Sequence, residues 1–143
     1  MPEVASIQSQ SDMAIEVSLA VNAPVSTVWA ALTDPVVLER WYGSIVPCFR
    51  TGGTAQLDFG DGEFLGLENI RVEVPHLLQF DYRLMGFGVP TEITWRVDTA
   101  DTGSRVTVIE RPSGGLGHQE ARARGWLGFL QQLQRFVHAE YPG

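Results

Sequence analysis

The stretch ARGWLGFLQQLQRFV, residues 123–137, lies near the end of the chain and carries an unusual amount of apolar surface. At 100° per residue, its large apolar side chains fall on one face of a helix, with polar ones opposite. We therefore predict one helix of about 20 residues from near Gly117 to Val137. The apolar face comprises Trp126, Phe129, Leu130, Leu133, Phe136 and Val137, with Leu127 at its edge.

A sheet is the predicted partner of this helix. Residues 15–21 alternate apolar and polar side chains, as a strand with one buried face does. Two short helices follow, one after Pro24 and one that Asp34 caps ahead of Pro35. Turn signals then separate five further strands, which predicts an antiparallel meander. These strands are Ala55–Phe59, Phe64–Val74, Leu77–Leu84, Thr91–Asp98 and Ser104–Glu110.

Two other uses of the apolar helix are open. A helix lying on a membrane surface needs a basic polar face, whereas this one mixes Arg124 and Arg135 with glutamines. A dimer seam is the second alternative, although the rings of Trp126 and Phe129 are bulkier than such a seam prefers. Packing as the wall of a core against the sheet explains both apolar faces at once, and we favour it.

Composition limits the classes of partner. The 143 residues fit one domain, here residues 13–143 after a flexible segment at 1–12. The net charge is −7 and every basic residue other than histidine is arginine, so neither nucleic acid nor an anionic membrane is an expected partner. A single cysteine, Cys48, and no signal-like N-terminus predict a cytoplasmic protein without disulfides.

No metal or other cofactor is expected. His76, His118 and His138 are far apart in sequence, and one cysteine does not complete a zinc site. The glycine-rich run at 114–117 lacks the lysine of a phosphate-binding loop.

The order of elements resembles the helix-grip fold of the START-related (SRPBCC) superfamily. Within it, the chain is most similar to the bacterial branch of the activator of heat-shock-protein-90 ATPase homologues. The resemblance spans residues 14–138 and rests on VNAPVSTVWAALTDPVVLERWYG (21–43), VPHLLQFDY (74–82), TGSRVTVIER (102–111) and GWLGFLQQL (125–133). It implies an α+β fold with a curved antiparallel sheet of six or seven strands around the C-terminal helix. A cavity between the sheet and that helix is implied as well.

Polar residues on predicted apolar faces are candidates for a site in such a cavity. If the apolar face of the last helix is continued toward the N-terminus of that helix, it includes Gln119, Arg122 and, at its edge, His118. Alternation along residues 64–74 places Glu68 on the same face as apolar side chains. A charge on such a buried face needs a partner of opposite charge or a cavity that contains water. Arg122 and Glu68 are candidates to pair with each other or to hold a polar group of a ligand, including a carboxylate.

The predicted walls of the cavity are aromatic. Each ring taken alone is more often plain core than a ligand contact. Such a concentration of rings nevertheless suits a hydrophobic or aromatic small molecule such as a lipid. Tyr82 adds a hydroxyl group that can orient a ligand. The predicted wall residues are Trp41, Phe59, Phe80, Tyr82, Trp95, Trp126 and Phe129.

Three functions follow from these observations. The first is binding of a hydrophobic small molecule without catalysis. The second is a polyketide cyclase-like or hydratase-like enzyme that moves a proton with Glu68 or His118. The third, which the resemblance implies, is a stress-related interaction with a chaperone, although the sequence shows no obvious docking patch for one.

Overall fold

The computed structural model describes residues 6–7, 14–60, 62–86, 90–101, 103–111 and 119–140. It is an α+β structure with eight strands and three helices in this part of the chain. In chain order the elements are β1 (Ser6–Ile7), β2 (Ile15–Val21), α1 (Val25–Thr33), α2 (Pro35–Trp41), β3 (Ser44–Val46), β4 (Ala55–Asp58), β5 (Phe64–Glu73), β6 (Leu77–Leu84), β7 (Thr91–Ala100), β8 (Gly103–Arg111) and α3 (Gln119–Glu140).

All eight strands form one antiparallel sheet in the order β1-β2-β8-β7-β6-β5-β4-β3. The predicted meander is confirmed, because each strand from β3 to β8 pairs with the next one along the chain. The first long strand, β2, pairs with β8, and β1 pairs with the other side of β2. The short strands β1 and β3 were not predicted, and with them the sheet exceeds the expected six or seven strands.

The helix α3 covers one face of this sheet, as the apolar face of the helix predicts. Leu130, Leu133 and Val137 are fully buried and Phe129 nearly so, together with the inward side chains of β2 and β8. The polar positions opposite, including Arg124 and Gln131, are exposed. The core-wall interpretation of the helix is therefore confirmed.

Hydrogen bonds fix the C-terminal half of α3 along β2 and α2. The amide of Gln134 donates to the carbonyl oxygen of Ala20 over 2.9 Å, and that of Gln132 to the carbonyl oxygen of Trp41 over 2.8 Å. Farther along, the backbone N–H of Asn22 donates to Nε2 of His138 over 3.1 Å. The helix cannot slide along the sheet without breaking these bonds.

The two short helices begin as the sequence predicts. Oδ1 of Asp34 accepts a hydrogen bond of 3.0 Å from the backbone N–H of Val36, and Pro35 occupies the first turn of α2. This cap satisfies one of the N–H groups that a helix start leaves open. It also turns the chain, so that α2 ends with Trp41 buried beside α3.

A β-bulge interrupts β5. Glu68 pairs with Asp81 and Arg71 with Gln79, so three steps along β5 match two along β6. Asn69 adopts a positive φ of 55° and its amide donates to Oδ2 of Asp81 over 2.9 Å. Side chains of a strand alternate between the two faces of the sheet. One extra residue therefore reverses, from one side of the bulge to the other, which alternate positions of β5 face α3.

The predicted flexible segment 1–12 lies mostly outside the described residues, although Ser6 and Ile7 pair with β2. None of the helices in the described part of the chain is long and apolar enough to cross a membrane.

Candidate functional site

A cavity of about 420 Å³ lies between the sheet and the helices. Its floor comes from the central strands β4 to β7, and α1, α2 and α3 contribute its other walls. The lining is mostly aliphatic and aromatic, with hydroxyl groups from two tyrosines and one threonine. The lining residues are Leu32, Leu38, Tyr42, Phe49, Leu57, Leu65, Leu78, Phe80, Tyr82, Leu84, Thr91, Ile93, Trp95, Trp126 and Phe129.

Five of the seven predicted wall aromatics line this cavity, namely Phe80, Tyr82, Trp95, Trp126 and Phe129. They form a connected wall between α3 and the sheet. The ring centroids of Trp95 and Phe129 are 4.8 Å apart, and those of Trp95 and Trp126 are 5.4 Å apart at 82°. The first of these pairs is tilted and the second meets edge-on, and such ring contacts favour particular orientations.

The prediction that Trp41 and Phe59 line the cavity is wrong. Trp41 is buried behind the wall, where its Nε1 donates to the carbonyl oxygen of Ala31 over 2.8 Å. Phe59 packs against the ring of Tyr42 with centroids 5.3 Å apart. Both rings support lining residues from behind and do not reach the cavity surface.

The placement of Glu68 on the inner face is also wrong. Because of the bulge in β5, Leu65 and Leu67 point toward the helices and Glu68 points to the opposite face of the sheet. There its carboxylate lies 3.4 Å from the guanidinium of Arg83, and its side chain is 38% exposed. Glu68 therefore forms a surface ion pair and does not contact the cavity.

The predicted polar group at the start of α3 cannot be located in full. His118 lies outside the described residues, and Gln119 and Arg122 are described only as part of the helix, without their side chains. Their role as anchors for a ligand stays a prediction.

Glu110 is the acidic residue that the structure places at the cavity wall. It is 2% exposed, near the end of β8, on the same face as Ile93 of β7. Its Oε1 accepts a hydrogen bond of 2.9 Å from Nε1 of Trp126, and its Oε2 accepts one of 3.3 Å from the hydroxyl of Tyr82. Both donors line the cavity, so Glu110 sets their orientation from behind.

Tyr42 is a second residue that the sequence analysis missed. It follows α2, and its ring meets that of Phe129 edge-on with centroids 4.4 Å apart. Burial, and to a lesser degree the charge of a Tyr82 phenolate, raise the pKa of Tyr42 to about 12. The two phenols thus lie within electrostatic range of each other across the cavity, and Tyr42 keeps its proton at physiological pH.

A second depression, of about 390 Å³, lies on the opposite face of the sheet and is lined mainly by polar and charged residues. Several of these charges are already paired, as between Arg71 and Glu73 and between Arg111 and Glu92. The described residues contain no group of three or more histidine, cysteine, aspartate or glutamate side chains placed to hold a metal ion. The cavity under α3 is therefore the stronger candidate site.

Comparison with known families agrees with this fold. The family model described as "Activator of Hsp90 ATPase homolog 1-like protein" matches residues 22–138. None of the curated proteins compared with the chain matches it.

Solved structures share the same architecture. DynU16, a protein in the dynemicin biosynthetic locus, is 30% identical to this chain, and the two structures superpose with a TM-score of 0.84. The match covers 90% of this chain and 48% of DynU16. This chain therefore spans about half of the length of DynU16. Protein SSP2350 from Staphylococcus saprophyticus is 25% identical with a TM-score of 0.73, over 90% of this chain and 92% of that one. CalU16 from Micromonospora echinospora is 20% identical with a TM-score of 0.71, over 97% and 87%, and supports the fold alone.

Proposed function

We propose that the chain, which belongs to the family of Activator of Hsp90 ATPase homolog 1-like proteins, binds a hydrophobic or aromatic small molecule, without converting it, in the cavity under α3. The observation that carries the proposal is the cavity itself. Its volume of about 420 Å³ lies within the range of ligand sites, which are mostly apolar with a few placed polar groups.

The composition of the walls supports the same proposal. Aromatic rings in the lining, among them Phe80, Trp95 and Phe129, offer flat apolar surfaces to a flat ligand. Burying such a ligand removes apolar surface from water on both sides, which stabilises a complex at roughly 25 cal/mol per Å². The likeness to DynU16, from a biosynthetic locus, is compatible with a ligand of this class.

A thermal-shift screen of fatty acids, flavonoids, polyketide-like aromatics and sterols tests this function. A ligand at a hundred times its dissociation constant adds about 2.7 kcal/mol of stability, a rise in Tm of several degrees for a domain of this size. Leu65→Trp, which places a larger side chain in the cavity, should lose the shift. Val36→Trp, at a 72% exposed position on α2, should keep it.

A result in which no compound raises the Tm of the wild-type protein, or in which both tryptophan variants respond like wild type, would refute binding in this cavity. Arg122→Ala tests separately the predicted anchor for a carboxylate-bearing ligand. A fatty acid that stabilises wild type but not this variant supports the anchor, and equal stabilisation contradicts it.

A second candidate function, a cyclase-like or hydratase-like enzyme, is favoured by one observation, the buried carboxylate of Glu110 beside the cavity. Proton transfer requires a titratable group within reach of the substrate. In this hypothesis Glu110 takes the place of Glu68 and acts through the hydroxyl of Tyr82, which lines the cavity. If the chain is such an enzyme, the wild-type protein should convert a bound polyketide-like aromatic. Glu110→Gln should abolish this conversion and leave the binding intact. Binding without turnover in the wild type excludes it.

A chaperone interaction is the third hypothesis. It predicts a complex in a pull-down with a purified chaperone, and no dependence on residues that line the cavity. A cytoplasmic location likewise stays a proposal, based on the single cysteine of the sequence.

A further inference from the structure

The hydroxyl groups in the cavity lining differ in whether they already have a partner. They belong to Tyr42, Tyr82 and Thr91. The hydroxyl of Tyr82 makes a hydrogen bond with Glu110. In the part of the chain that the structure describes, the hydroxyl of Tyr42 makes none. No fully buried side-chain polar atom in that part lacks a partner, so the Tyr42 hydroxyl must be accessible from the cavity that its side chain lines.

The packing of its ring fixes the position of this hydroxyl. The ring centroid of Tyr42 lies 4.4 Å from that of Phe129 and 5.3 Å from those of Trp41 and Phe59. A flip of the ring leaves the phenol oxygen in place, because that oxygen lies on the flip axis. The O–H bond is free to turn toward a ligand. A group held in place in this way loses little entropy when it forms a hydrogen bond.

The surroundings favour Tyr42 as a hydrogen-bond donor. Burial, and to a lesser degree the charge of a Tyr82 phenolate, raise the pKa of Tyr42 to about 12, so the phenol holds its proton at pH 7. The mostly apolar lining leaves that proton in surroundings where a donor without a partner costs free energy. A ligand that brings an acceptor oxygen to this hydroxyl therefore gains affinity.

The charges around the cavity decide which acceptor is favoured beside Tyr42. None of the described residues in the lining is basic. A carboxylate at this point would lose its hydration without gaining a cation as its partner. A neutral carbonyl oxygen accepts from a phenol and costs much less to remove from water. Arg122, at the N-terminal end of α3, is the predicted anchor of a carboxylate and is tested separately above.

We propose that Tyr42 determines specificity in this cavity by donating a hydrogen bond to a neutral carbonyl oxygen of an aromatic ligand. The inference rests on the proposed binding function and names the ligand class, which is aromatic ketones and related carbonyl compounds. The aromatic wall packs against the rings of such a ligand, and Tyr42 binds its oxygen. A hydrocarbon of the same shape fills the same space but leaves the phenol without an acceptor.

Two bicyclic probes of nearly the same shape test this pairing. The ketone 1-tetralone has a carbonyl group at the position where the hydrocarbon tetralin has a methylene group. Dissociation constants at pH 7 are measured by isothermal titration calorimetry on the full chain. One net hydrogen bond should make 1-tetralone bind to wild type about fivefold more tightly than tetralin. In Tyr42→Phe this preference should disappear, whereas tetralin should bind as tightly as it does to wild type.

Two further measurements distinguish this hydrogen bond from a general effect on the cavity. Thr91→Val removes another hydroxyl of the lining with little change in volume, and it should keep the preference for the ketone. The infrared C=O stretch of bound 1-tetralone should lie at a lower wavenumber in wild type than in Tyr42→Phe, because a hydrogen bond to the oxygen weakens the double bond. A change in packing alone does not produce this shift.

Equal affinity of the two probes for wild type would overturn the inference and leave the proposed binding function intact. A preference for the ketone that Tyr42→Phe keeps, or that Thr91→Val removes, would also overturn it. If Tyr42→Phe does not fold, the C=O stretch of 1-tetralone bound to wild type is compared with that in a hydrocarbon solvent, and an unshifted band overturns the inference. If neither probe binds to wild type, the inference is overturned, and the lipophilic library above decides the binding function separately.

Discussion

The indole nitrogen of Trp126 lies 2.9 Å from Oε1 of Glu110, and this hydrogen bond joins the last helix to the last strand at the wall of the cavity. The same carboxylate holds the hydroxyl of Tyr82 on β6. Strand β6, strand β8 and helix α3 thus meet at one buried side chain. The stability of the fold should depend on it.

Replacement of Glu110 by leucine should lower the free energy of unfolding by about 2–3 kcal/mol, because two partly buried donors, Trp126 and Tyr82, lose their acceptor. Urea denaturation measures the loss. Glu92→Leu, in an exposed pair on the other face of the sheet, should cost less than about 1 kcal/mol. In the double variant with Trp126→Phe, the two losses should be less than additive, and strict additivity would show that the bond contributes nothing.

Alkaline pH should destabilise the protein through Tyr42. Its pKa is about 12 in the folded state and about 10 in an unfolded chain, so the unfolded state releases its proton first. The stability this gives is fully present below pH 10 and is lost as the pH rises toward 12. Between pH 9 and pH 11.5 wild type should lose about 2 kcal/mol more than Tyr42→Phe. Parallel pH profiles in urea denaturation would contradict burial of this phenol.

Leu133→Ala should cost about 3 kcal/mol, since it opens a cavity where α3 packs on the sheet and its side chain is fully buried. Gln131→Ala, two residues earlier on the exposed side of the helix, should change stability by less than about 0.5 kcal/mol. Comparable losses in the two variants, measured by urea denaturation, would mean that α3 presents a different face to the sheet.

Two glycine-to-alanine changes should act in opposite directions. A Cβ on Gly103 would lie 2.6 Å from the carbonyl oxygen of Val21, and its φ of 142° disfavours any side chain, so Gly103→Ala should cost at least about 2 kcal/mol. Gly125 lies within α3 with open space around it, and Gly125→Ala should add about 0.5–1 kcal/mol. A lower Tm for Gly125→Ala would contradict this placement.

Glu68→Gln should leave unchanged the affinity for any library compound that stabilises the wild-type protein, because Glu68 points away from the cavity. Its exposed pair with Arg83 should contribute less than about 1 kcal/mol to stability. Calorimetric titration of the same compound against Leu65→Trp, which should lose binding, gives the comparison. A tenfold loss of affinity in Glu68→Gln would return this carboxylate to the cavity.

Periodicity predicted most of the fold. Strands β2 and β4 to β8 and helix α3 appear close to their predicted bounds, because each has a regular apolar face that must be buried. The short strands β1 and β3 have two and three residues, too few to show a period. Their pairing comes from neighbouring strands and not from a local pattern.

The candidate site was predicted less completely, and for separate reasons. The prediction placed Glu68 on the wrong face of the sheet because strict alternation assumes that the strand has no bulge. Within residues 64–74 the one sign of a bulge is Asn69, a residue type that tolerates a positive φ. Glu110 could have been found, because it continues the alternation of Val106 and Val108 on a buried face. Tyr42 lies at the end of a short helix, where no period indicates which way a side chain points.

The bulge at Asn69 also determines how this strand should be compared across relatives. Between Glu68 and Arg71, β5 has two residues, Asn69 and Ile70, where β6 has one, so a protein without the extra residue keeps strict alternation along this strand. An alignment that omits a gap at this point would equate inward positions with outward ones. Residues that line the cavity in one protein would then be compared with surface charges in another.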